Sequence, residues 1–248
     1  AKVNEGAVPV MEIWRGGLLE CVHQAHAVIC DAKGVVAAWG NPQAVIFPRS
    51  SAKMLQALPL LETGAAAARG LSQAHLALSC ASHRGAHEPG DLAERNRLIE
   101  AHEKPCQLHN NCSGKHSGFL TVTQHLKAGP EYVEIDHPLQ RMIRDATEEV
   151  TGETVAGYGI DGCSAPNFAV TVAGLARAMQ AFAAAREDGD GRGRAMQRLT
   201  RAMASFPEPS GPRNSCAWLT RFSATVRLRR CFRASCPTIS LNFIFRSK

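Results

Sequence analysis

Long apolar runs are missing from this 248-residue chain, since each hydrophobic stretch is broken by polar or charged residues well before bilayer-crossing length. A membrane-spanning role is therefore not expected. The first residues, Ala1-Lys2-Val3-Asn4, lead into strand-like sequence without the apolar centre of a secretory leader. The chain is read as cytoplasmic, with no membrane partner. Nine cysteines are present, yet none forms a Cys-x-x-Cys pair. With this length and no leader, reduced thiols or a metal site are the default over disulfides.

Acidic residues are absent from 213 to 248, where seven arginines and one lysine occur. Residues 1–212 carry 20 basic and 22 acidic side chains, so the net charge of +6 belongs to the tail. A nucleic-acid partner inferred from the pI of 9.0 would rest on that tail alone, and none is expected. The tail lacks helical or strand periodicity and includes Cys216, Cys231 and Cys236. Two readings apply, a basic RNA-binding arm or a stretch never selected for this fold, as a shift of reading frame produces. The second is preferred. The chain divides accordingly into a domain over 1–212 and a non-native or disordered tail over 213–248.

With 45% hydrophobic and 20% charged residues, the composition is that of a globular domain. Short apolar runs over 8–14, 18–23, 26–32 and 35–39 predict strands, and Arg15-Gly16-Gly17 and Lys33-Gly34 predict hairpin turns between neighbours. Helices are predicted over 50–62 (with Pro59 able to kink it), 73–80 with Ser72 as cap, 89–101, 113–127, 138–150, 173–186 and 194–205. A short strand is expected within 162–172. Strands first and helices afterwards indicate an α+β architecture. The Asp188–Gly193 stretch lacks the downstream glutamate of a calcium loop and reads as a turn.

Among the residues present, Ser50-Ser51-Ala52-Lys53 carries the most chemistry. At a helix start, residues three apart lie near one face, so an amine can approach a hydroxyl. A serine hydroxyl becomes nucleophilic when such a neighbour takes its proton, and helix N–H groups favour the negative charge that develops. Alone, the spacing also fits a helix N-cap serine beside an exposed lysine.

Two further clusters stand out. Ser79-Cys80-Ala81-Ser82-His83 closes a predicted helix and offers Ser82 as a proton carrier. Asn110-Asn111-Cys112-Ser113-Gly114-Lys115-His116 and Asp161-Gly162-Cys163-Ser164-Ala165-Pro166-Asn167 place thiols beside an amine, an imidazole and a carboxylate. Two such cysteines can bind zinc as thiolates or serve as buried structural thiols. Ser113-Gly114-Lys115 lacks the upstream glycine of a phosphate loop, so nucleotide binding is not expected.

Taken in order, these segments resemble the rhizobial-type (class 3) L-asparaginases, the asparaginase II family. The residues that carry the resemblance are Arg15-Gly16-Gly17-Leu18-Leu19-Glu20 with His23, then Pro48-Arg49-Ser50-Ser51-Ala52-Lys53, then Cys80-Ala81-Ser82-His83, then the segments around Cys112 and Cys163. The resemblance spans roughly residues 8–211. It implies a fold similar to serine β-lactamases and penicillin-binding proteins, an antiparallel sheet beside a helical part. It also implies that Ser50 is the nucleophile, Lys53 its base and Ser82 a proton relay. Cys112, Lys115 and Cys163 would hold zinc, and Asp161 would hold the metal's water or orient substrate. The implied reaction converts L-asparagine to L-aspartate and ammonia through an acyl-serine, in a homodimer, with backbone N–H groups near Ser50 holding the oxyanion.

The chain departs from that pattern in two places. Little sequence separates His83 from Cys112, and the family's glycine-rich segment with a second active-site lysine has no counterpart after residue 211. The sheet is thus expected to be incomplete at the C-terminus, and activity to be compromised. A penicillin-recognising acyl-serine enzyme shares Ser-x-x-Lys but needs Ser-x-Asn and Lys-Thr-Gly segments, which are not found. A non-enzymatic metal-binding remnant is the remaining alternative.

Overall fold

The computed structural model describes residues 5–82, 100–102, 104, 106–107 and 110–206, and the backbone of 240–246. The α+β expectation holds. Strands β1 (Val8–Arg15), β2 (Leu18–Asp31) and β3 (Gly34–Trp39) form an antiparallel meander. Gly16 and Gly17 make its first turn at φ of 55° and 80°, a left-handed pair that side chains with a Cβ resist. The two runs predicted over 18–32 are one strand, because Gln24 and Ala25 continue the pairing with β1 rather than turning.

Four further strands and a row of helices complete the described architecture. They are β4 (Val45–Ile46), a 3-10 turn (Arg49–Ala52), α1 (Lys53–Gln56), α2 (Leu58–Glu62), α3 (Ala65–Ala68), α4 (Gln73–Cys80) and α5 (Ser113–His125). Then come α6 (Pro138–Thr151), β5 (Gly157–Ile160), β6 (Pro166–Thr171), α7 (Val172–Ala184), α8 (Gly191–Ser205) and β7 (Ser240–Arg246). Strands β4, β6 and β5 form a second antiparallel sheet in that order. Along residues 27–30, β2 lies between β3 and β7. Residues 89–99 of the helix predicted over 89–101, and most of the tail, lie outside the described residues.

The helix predicted over 50–62 is three short pieces. Its first turn is 3-10, and Pro59 occupies an early position of α2, where its missing N–H costs nothing. Ser72 caps α4 as expected, in a reciprocal capping box with His75. The cap of α6 is His137: its Nδ1 accepts from the Leu139 N–H at 3.1 Å, while Gly152 ends the helix at φ 66°. The core gathers Leu55, Leu58 and Leu60 from α1–α2, Leu76 from α4, Val122 from α5, Ile143 from α6 and Leu199 with Met203 from α8. Each such side chain contributes about 1.5–3 kcal/mol by leaving water. That packing clamps the helical run whose first turn carries Ser50 and Lys53.

Candidate active site

Lys53 is buried to 2% exposure, unusual for a lysine, and its surroundings explain how. The amine donates to the Ala81 carbonyl at 2.7 Å, to Ser82 Oγ at 2.8 Å and to the Asn111 carbonyl at 3.4 Å. Ser82 Oγ in turn donates to Ser50 Oγ at 2.8 Å. One amine and two hydroxyls, from two segments of sequence, thus form an unbroken hydrogen-bonded line. Ser82 reaches this place because α4 stops: Ala81 leaves the helix with extended backbone, φ −87° and ψ 151°, and aims its carbonyl at Lys53. The Ser51 N–H donates to the Pro48 carbonyl at 3.0 Å, so that donor belongs to the turn and not to an oxyanion.

The second cluster adjoins the first through Asn111, whose carbonyl binds Lys53 and whose neighbour is Cys112. Cys112 precedes α5, held by its N–H to Asn110 Oδ1 at 2.8 Å. Lys115, buried one turn on, donates to Cys163 Sγ at 3.2 Å and lies 5.5 Å from the centre of the Phe119 ring. Gly114 allows this close approach, because a Cβ there would collide with the Leu78 carbonyl. Cys163 comes from the tip between β5 and β6, a tight turn in which the Ser164 N–H donates to the Asp161 carbonyl at 2.8 Å and Ser164 has φ 69°.

The two thiols share a hydrogen bond, and their proton affinities are driven apart. The bond from Cys112 pulls Cys163 far down, aided by a hydrogen bond from His116 and by the charge of Lys115; the same bond, with burial, pushes Cys112 up. His116 Nδ1 also meets Tyr132 Oη at 2.9 Å, and burial followed by the charge on Cys163 raises that phenol.

Asp161 is placed between the clusters but does not touch the thiols in any contact the structure gives. Its Oδ1 pairs with Arg49 Nε at 2.7 Å and its Oδ2 accepts from Asn167 Nδ2 at 3.0 Å. All seven residues singled out from the sequence therefore lie in one region: Ser50, Lys53 and Ser82 in one line, Cys112, Lys115 and Cys163 in a second group, and Asp161 at its rim. Sequence reading missed Arg49 and Asn167. They stand inside the quoted motifs, but an arginine beside a serine or an amide in a strand carries no signal by itself.

An α+β domain with a buried amine lined up on two serines is the frame in which the comparisons fall. The chain belongs to the L-asparaginase II family, whose model matches residues 11–88 and 84–226 in two overlapping parts. No curated protein matches the chain. Among solved structures, a β-lactamase from Mycobacterium bovis is similar at 17% identity with a TM-score of 0.37, covering 68% of this chain and 59% of that one. Among the described residues, no helix is long and apolar enough to cross a membrane.

Proposed function

We propose that the chain hydrolyses the side-chain amide of L-asparagine through an ester on Ser50. The observation that supports this reading is the line Lys53–Ser82–Ser50, with both links at 2.8 Å. Ser50 Oγ attacks the amide carbon, and its proton passes to Ser82 while Ser82 gives its own to a neutral Lys53 amine. The C–N bond then breaks, and the nitrogen takes a proton back along the same line and leaves as ammonia. Water adds to the ester, its proton follows the line to Lys53, the C–Oγ bond breaks, and L-aspartate departs with Ser50 restored. The carbonyls of Ala81 and Asn111 hold the amine on the serine side throughout. Lys53, neutral before the attack and protonated after it, is the base on which this line relies.

A zinc ion is proposed at Cys112, Lys115 and Cys163. The donor set suits it, with two sulfurs in mutual hydrogen-bond contact and an amine 3.2 Å from one of them. Among the described residues, no three His, Cys, Asp or Glu side chains gather in metal-holding geometry, and Lys115 as third ligand, in its neutral amine form, is what the family resemblance implies. Bound there, zinc would supply positive charge that orients substrate beside Ser50. Cytoplasmic location and a homodimer remain part of this reading.

Ammonia release from L-asparagine by the full chain, with Ser50→Ala as control, tests the proposal. Release that depends on Ser50 is the expected result; release unchanged by the substitution removes Ser50 from the reaction.

A further inference from the structure

Arg49 precedes the serine and adopts φ 54°, a left-handed conformation that an L-residue takes only at a cost of roughly 1–2 kcal/mol. Its side chain is 68% exposed, and nothing in the core packs it in place. What holds it is Asp161, and Asp161 sits at a hairpin tip with only 12% exposure of its side chain. The second oxygen of that carboxylate is tied to Asn167, which is fully buried in β6 opposite Gly159.

Asn167 is a costly choice for that strand. Its neighbours Pro166, Phe168, Ala169 and Val170 are all buried, and its Oδ1 finds no hydrogen-bond partner. A buried unpaired amide oxygen destabilises a fold, and an apolar side chain of the same size avoids the penalty. The one thing an apolar residue cannot do is donate to Asp161.

We propose that Asn167 is a positioning residue for Ser50, acting through Asp161 and Arg49. The amide fixes the carboxylate, the carboxylate fixes the guanidinium, and the guanidinium holds the strained peptide that sets Ser50 Oγ against Ser82. The inference rests on the acyl-serine reading and extends it to a residue with no contact to the reacting atoms.

The test uses the full chain with Asn167→Leu and Arg49→Met, singly and together. Three quantities are measured: the rate at which a fluorophosphonate modifies Ser50, exchange protection of the Arg49 Nε–H by NMR, and the thermal midpoint. In the modification the Oγ–P bond forms, fluoride leaves, and the serine proton passes to Ser82 and Lys53. Asn167→Leu should slow modification by about ten- to a hundredfold and remove protection from the Nε–H, while the midpoint stays level or rises. That divergence between reactivity and stability is what a purely structural role would not produce. The double variant should be no slower than the slower single one. Arg49→Met alters an exposed side chain and keeps the test decisive even where Asn167→Leu folds poorly. Wild-type rates in either single variant, or effects that multiply in the double, overturn the proposal. A wild-type chain that does not react overturns the acyl-serine reading instead, and the Nε–H response to Asn167→Leu tells the two failures apart.

Discussion

Ser82 Oγ stands 2.8 Å from Lys53 Nζ and 2.8 Å from Ser50 Oγ, although 29 residues separate it from the lysine and 32 from the other serine. A hydroxyl both gives and takes a proton, which makes Ser82 the one group in the line able to couple amine to nucleophile. Its location is secured by the end of α4 and not by its own side chain.

Replacing that hydroxyl isolates its role. Ser82→Ala should lower Ser50 modification by a fluorophosphonate by about a hundred- to ten-thousandfold, the usual worth of a positioned proton carrier. The thermal midpoint should hardly move, because Ser82 is half-buried and makes no core contact of size. A reduction of less than threefold would show that the proton reaches Lys53 without it.

Lys53→Met keeps length and apolar bulk but removes the donor. The buried Ala81 carbonyl loses its partner, at about 1–3 kcal/mol, while the exposed Asn111 carbonyl can turn to water. Relief from burying an amine offsets part of that. Unfolding in urea should therefore shift modestly, while modification of Ser50 disappears. Retention of reactivity in this variant would exclude the amine as the base.

Gly114→Ala tests how tightly α5 sits on α4. The new methyl must displace the Leu78 backbone carbonyl, and overpacking of this kind costs about 1–3 kcal/mol. The urea midpoint should drop, and zinc uptake should weaken as Cys112 and Lys115 shift away from Cys163. An unchanged midpoint would mean the two helices are free to separate.

Zinc stoichiometry can be read with a chelating dye after loading. The wild type should hold one ion per chain, and Cys163→Ser should hold none. Because the Cys112 hydrogen bond lowers the proton affinity of Cys163, the same substitution should also abolish the fastest-reacting thiol at neutral pH. Zinc retained by Cys163→Ser would place the metal elsewhere.

Cys30 sets a pH dependence. It is fully buried beneath α7, and desolvation pushes its thiol above 9.0, with Arg177 pulling it back and Asp31 adding to the rise. A raised folded-state value means that the stabilisation is complete below the unfolded value and fades as pH climbs through the folded one. Urea midpoints should decline from about pH 9 upward at no more than roughly 1.4 kcal/mol per pH unit from this group. Comparison with Cys30→Ala isolates it: the variant starts less stable because of its cavity, but its alkaline slope should be shallower. Equal slopes would show that Cys30 ionises as readily in the fold as out of it.

Local chemistry made much of this fold readable in advance. Paired glycines announced the first hairpin, Ser72 with a following helix announced its cap, and proline with a trailing glycine bracketed α6. The misses share one cause, a tertiary partner supplying what local sequence lacked. Gly157-Tyr158-Gly159-Ile160 reads poorly as a strand, yet β6 pairs with it residue by residue. His137 caps α6 because its other ring nitrogen is held by the Gly129 carbonyl at 3.0 Å. Ser240–Arg246, inside the stretch read as a tail, lies along β2.

By itself the sequence determined which reactive groups exist and in what order, since a nucleophile, an amine and a thiol pair are chemical identities that no folding can add. It also determined the turns and helix ends, where φ preferences act within a few residues. Only the tertiary structure decided which groups meet. Lys53 finds Ser82 because a helix ends at Ala81, and Arg49 finds Asp161 because a buried asparagine in the adjoining strand β6 holds that carboxylate still. Contacts of this length depend on packing geometry, which is a property of the whole domain and of no single segment.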